Sequence, residues 1–299
     1  MSFDTPSAIG MLDLHPMVLT LAIPAGAAIL AALVFGLRTA RHNGPPPRIG
    51  AAMLLAGVAA GLVTSFGLPW PLAQPWHWIG YGFAFVALPA AFVPTRSRIG
   101  ELAMSAVLAV TVFGAGWQML APLVDTAVTA DERLRMCLVA AGLAAAAAVA
   151  STEAGLRVHA SRFAPAMLIW AVAAVFVLFQ VGGSRSYQLI GMAAAVMTAG
   201  LALSWVRGEG VWLARIGTPF CVLLALAGLH ATAYGSAPLD PVLLLCAPVL
   251  LPALWAAMRP QKVGAWIEAP LLVLLTAIPA AAAVWLLLED PGPSIYVQG

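Results

Sequence analysis

Ten runs of nearly pure hydrocarbon, separated by short polar connections, divide the chain: roughly 16–37, 50–68, 77–94, 102–123, 136–151, 164–182, 189–206, 219–235, 239–258 and 269–288. An α-helix rises 1.5 Å per residue, so ~30 Å of hydrocarbon takes ~20 residues, and most runs are long enough. The pattern predicts an all-α, polytopic helical membrane protein with about ten transmembrane helices. It reads as one integral membrane domain over residues 1–299, divisible into halves 1–152 and 153–299, with no soluble domain. Run 136–151, "MCLVAAGLAAAAAVAS", is short and alanine-rich. Small side chains let helix backbones approach closely, which places this helix in the middle of the bundle. Runs 219–235 and 239–258 are so close together that they read as one tight hairpin.

Composition sharpens the class. Of 299 residues, 62% are hydrophobic and only 9% charged, against about 25% charged in a soluble domain. A net charge of +2 gives no electrostatic footprint for nucleic acid. The N-terminal "MSFDTPSAIGMLDLHP" has no basic segment and two acids, so the first run is expected to stay as a span rather than leave as a signal peptide. Cys137, Cys221 and Cys246 form no paired motif and read as small packing residues.

Charge placement adds orientation. Counted on alternate sides of the ten runs, eleven Lys and Arg fall in one set of connections and three, Arg133, Arg135 and Arg185, in the other. Basic residues resist translocation, so the richer side is cytoplasmic and both termini are expected outside the cytoplasmic membrane. Trp70, Trp76, Trp78, Tyr81 and Trp285 then fall at the outer interface and Trp205 at the inner one, where amphipathic rings anchor spans. In "LPWPLAQPWHWIGYGF", residues 68–83, Pro69, Pro71 and Pro75 end one helix before those anchors begin the next. Similar connection lengths in the two halves hint at a five-plus-five inverted repeat, a plan many secondary carriers use.

Few residues offer chemistry. A charge at mid-bilayer costs at least ~2.5–3.5 kcal/mol, and none here lies near the centre of a run. The polar candidates for a substrate pocket near the outer side are Gln118, His230 and Gln180. His15, His77 and His230 form a conceivable metal set, since neutral imidazole is a common ligand, although no two share helical spacing. Gly57 and Gly61 make a GxxxG suited to close helix crossing. Pro89, Pro248, Pro252 and Pro279 are expected to kink their helices. "STEAGLRVHASRF", residues 151–163, reads as a solvated loop. Metalloprotease, nucleophile-elbow and nucleotide-binding motifs are missing, and no cofactor is expected.

These features point to a permease or exporter-like carrier of a small neutral or weakly polar solute. A non-catalytic structural or assembly subunit of a larger membrane complex is the alternative, and an intramembrane enzyme with an outer-face metal the second. The expected partners are the lipid bilayer and other membrane proteins or further copies of the chain, with no nucleic acid.

Overall fold

The computed structural model describes residues 21–41, 49–67, 74–92, 98–124, 126–158, 160–180, 184–207, 216–234, 244–258 and 264–289. These hold ten α-helices: α1 Ile23–Arg41, α2 Ile49–Phe66, α3 His77–Phe92, α4 Arg98–Leu120, α5 Ala130–Arg157, α6 Ala160–Gln180, α7 Ser184–Arg207, α8 Gly217–Tyr234, α9 Leu250–Met258 and α10 Ala265–Glu289. No β-strand occurs among the described residues. Seven of the ten, all but α1, α3 and α9, are long and apolar enough to cross a membrane.

Local chemistry sets several helix ends. Gly67 adopts φ 76° and donates its N–H to the Val63 carbonyl at 3.0 Å. That left-handed stop after α2 carries no Cβ penalty in glycine. Pro122 ends α4 in a single 3₁₀ turn over Ala121–Leu123. Thr129 and Glu132 open α5 as a reciprocal capping box: the Glu132 carboxylate accepts from Thr129 N–H at 2.8 Å, and Thr129 Oγ1 accepts from Glu132 N–H at 3.2 Å.

One continuous apolar core draws residues from every helix. At its centre stands α8, buried from Gly217 through Leu229. It packs against α3, α4, α5 and α7, with lighter contacts to α2 and α6. This corrects the expectation that run 136–151 lies in the middle. Helix α5 packs on α4, α8 and α9 but turns Leu134, Leu138 and Val149 outward. Its buried alanines form a close-packing face, joined by Met136 and Leu143 at the edge of the core.

Gly57 and Gly61 seat α2 between α1 and α7. A Cβ at Gly57 would lie 2.2 Å from Val196 Cγ2 and 2.7 Å from the Pro24 carbonyl oxygen; one at Gly61 would lie 2.7 Å from both Met192 Sδ and Pro24 Cγ. No side chain fits either gap, so the three helices meet only because these positions are bare.

Two further readings change. Residues 151–163 do not form a loop: α5 continues to Arg157, α6 begins at Ala160, and Ser151, Thr152 and Val158 are buried. The ninth run is not one helix over its described part. Residues 245–249 are turns, and α9 has only nine residues. Pro248 has no N–H for the Leu244 carbonyl, which accepts from Ala247 at 2.9 Å instead; Leu250 likewise bonds Ala247 at 2.9 Å. Pro252, four residues later, withholds a second donor on the same face. Pro89 and Pro279, by contrast, sit inside continuous helices. The halves also pack differently. Their first helices pair alike, α1 with α2 and α6 with α7, yet α6 runs along α10 while α1 has no comparable contact with α5.

Candidate functional site

Where α7 begins and α8 ends, three polar side chains gather inside the apolar bundle. Ser186, in the first turn of α7, is fully buried, with its Oγ 3.2 Å from Nδ1 of half-buried His230. One helical turn on, Tyr234 stacks on the imidazole with ring centroids 5.0 Å apart and planes at 25°. The Tyr234 hydroxyl donates to the Met119 carbonyl at 2.7 Å. That carbonyl is among the last four of α4, which lack intrahelical partners, so the phenol ties α8 to the end of α4. Thr232 Oγ1, on the same stretch of α8, is buried without a hydrogen-bond partner among the described residues.

The same end of the bundle carries a cation on a ring. Arg133, in the first turn of α5, donates Nε–H to the Trp117 carbonyl at 3.1 Å, and its guanidinium lies 3.7 Å from the Trp117 ring centroid. Trp117 stacks on Phe113 one turn earlier, with centroids 5.8 Å apart. A positive group at the α4 C-terminus complements its helix dipole, and the flat guanidinium gains a cation–π contact. Phe179 meets Tyr187 edge to face at 5.2 Å, joining the end of α6 to the start of α7.

The opposite end is built from other chemistry. Arg162, in the first turn of α6, pairs with Glu268, in the first turn of α10; the carboxylate is fully buried and the guanidinium about one-third exposed. Nearby helix ends close on a bare contact, because a Cβ at Gly217 would fall 2.2 Å from Ser151 Oγ. Ser151 turns that hydroxyl back to the Ala148 carbonyl at 3.0 Å. We call the two regions the histidine end and the ion-pair end.

The predicted pocket residues separate. His230 is the member set among buried polar partners, whereas Gln118 and Gln180 are exposed. Gly116, near Gln118, opens no space for a ligand: a Cβ there would meet Leu229 at 2.9 Å and Cys137 at 3.4 Å. Of the histidine set, His77 is buried at the start of α3, and His15 lies outside the described residues. Among those residues, no three His, Cys, Asp or Glu side chains group as metal ligands.

The aromatic residues also divide. Trp285 is 63% exposed, and Trp78 and Tyr81 are half-buried. Trp76 differs from the anchor expected there: it is buried, donates its indole N–H to Gln74 and meets Phe66 of α2 at 5.1 Å. Beside the turn at Pro75 the ring lies against the end of α2, where it finds an apolar packing partner. Trp205 falls within α7, and Trp70 lies outside the described residues.

Sequence reasoning missed Ser186, Tyr234, Glu268 and Trp170. The last left a usable signal. Trp170 lies near the middle of α6, far from either end, and a buried indole N–H needs an acceptor. It finds the Leu245 carbonyl at 2.5 Å, with its ring edge to face on Phe220 at 5.0 Å.

No known protein family, characterised protein or solved structure matches this chain. The functional reading therefore rests on the site.

Proposed function

We propose that the chain is a carrier of a small neutral or weakly polar solute in the cytoplasmic membrane. In this reading it crosses about ten times, with both termini outside and the histidine end facing outward. The observation that carries it is the Ser186–His230–Tyr234 group. A half-buried imidazole, held through Nδ1 by a buried hydroxyl at the junction of α4, α7 and α8, leaves Nε2 to donate or accept, according to its tautomer, with a hydroxyl or amide solute. The ion-pair end, closed by Gly217 against Ser151 and by Arg162 with Glu268, makes the opposite side of the pathway. The helix break before α9 accords with moving parts, since irregular backbone at membrane depth belongs beside protein or a cavity.

Osmotic shrinkage and recovery of proteoliposomes in glycerol, erythritol or urea, followed by light scattering, tests the reading. Wild-type protein is expected to speed entry of at least one of these solutes over protein-free vesicles. His230→Ala should slow that entry roughly tenfold, the size of one buried hydrogen bond lost. Entry at protein-free rates for every solute, or full activity in His230→Ala, would remove the assignment.

A second reading, a non-catalytic subunit of a membrane complex, has its own observation. Helix α10 packs on α6 and lightly on α9, and it exposes Leu274, Ile278, Trp285 and Leu288. Gly57 and Gly61 do not add to it, because α1 and α7 already occupy that face. Native mass measurement after gentle extraction separates the readings: constant recovery with different proteins favours the subunit.

A further inference from the structure

Residues 245–249 lead into α9. The turn itself is deeply buried, with Leu245 fully covered and Val249 at 1% exposure. It lies beside the midpoint of α6, because the Leu245 carbonyl accepts from Trp170. The helix that follows is peripheral. Helix α9 is ~14 Å long, packs on α5 with a light contact to α10, and exposes Leu250, Leu251, Leu254 and Met258. Its buried residues are only Pro252 and Ala256.

The face it shares with α5 is mostly small. Ala253 and Ala257 lie across from Ala145, Ala146, Val149, Ala150 and Glu153, which line an open groove of about 540 Å³ between the two helices. Methyl-sized side chains interlock little, so the larger contact that must repack when α9 slides or lifts is Trp255, which packs on the core. The prolines complete the arrangement: Pro248 and Pro252 remove two backbone donors that would make the pass one stiff rod.

We propose that residues 245–249 are a hinge on which α9 swings against α5, and that the Trp170 indole N–H is its latch. A covered pivot, a peripheral arm and a long-range polar tie at the pivot are the parts such a device needs. The latch acts through the Leu245 carbonyl. Without Trp170 that oxygen loses its donor in an apolar surrounding, and opening becomes easier because it reaches new partners. The hinge does not depend on the carrier reading, since a complex subunit would possess it equally.

Backbone hydrogen exchange of the full-length protein, resolved by mass spectrometry over residues 245–258, tests the latch. Trp170→Phe keeps an aromatic ring beside Phe220 and removes the N–H. It is expected to speed exchange of these amides about tenfold, while peptides from α7 and α8 keep their wild-type rates. Phe220→Leu disturbs the same packing but leaves the N–H in place, and should leave residues 245–258 close to wild type. The hinge is overturned by any of three results: no acceleration in Trp170→Phe, equal acceleration in Phe220→Leu, or acceleration that spreads through α7 and α8.

Discussion

The two ends of the bundle fasten neighbouring helices by different means. At the histidine end, ties are aromatic and mostly uncharged: Tyr234 on the Met119 carbonyl, His230 on Ser186, Phe179 on Tyr187. The one cation among these contacts, Arg133, spreads its charge over a ring and a helix terminus. At the ion-pair end the ties are a fully buried carboxylate with its guanidinium and a glycine pressed on a serine. Neutral hydrogen bonds re-form with new partners at small cost, whereas a buried charge or a hard contact allows little movement. The lesson is mechanical: one end is suited to yield and the other to hold.

The contrast can be broken most directly at Arg162. Arg162→Ala removes a charged partner of the fully buried Glu268 carboxylate, and should destabilise the protein by about 3 kcal/mol. The readout is helicity during denaturation by sodium dodecyl sulfate. Adding Glu268→Gln should recover much of the loss, because the buried charge that Arg162 served disappears. A loss below about 1 kcal/mol would mean the ion-pair end is not the firmer one. Gly217→Val comes next, at about 2 kcal/mol in the same assay, because its new atoms collide with Ser151. Ser151→Gly in the same chain should relieve part of that strain; no relief would show that the contact is not the closing one. The smallest effect belongs to the histidine end. Arg133→Lys keeps the charge but loses the flat face over Trp117, and should cost about 1 kcal/mol, close to Arg133→Ala. Full stability with lysine would show that charge alone matters there.

Much of the architecture is written in the order of apolar runs, since hydrocarbon length alone marks where helices form. Pairings across the chain are a different matter. Ser186 and His230 are 44 residues apart, and Arg162 and Glu268 are 106 apart. A serine in "GGSRS" resembles any other helix-start serine until the partner arrives. The centrality of α8 was hidden for a related reason. A helix apolar on all sides is equally at home among lipid tails or among other helices, so periodicity separates the cases poorly. Alanine content misled for α5, because small residues mark a close contact without saying how many sides have one. The break before α9 was partly legible: Pro248 and Pro252 announced a kink, but only the packing around Leu245 shows that the helix gives way there, whereas α3 stays continuous through Pro89.

Because α8 is wrapped by α3, α4, α5 and α7, assembly has a built-in order. A chain made from its N-terminus completes all four of those neighbours before the element they surround exists. Until then they can enclose only a vacancy or one another, so the helices that precede α8 wait as an unfinished ring. Its closing piece comes late, and errors made before that moment remain correctable.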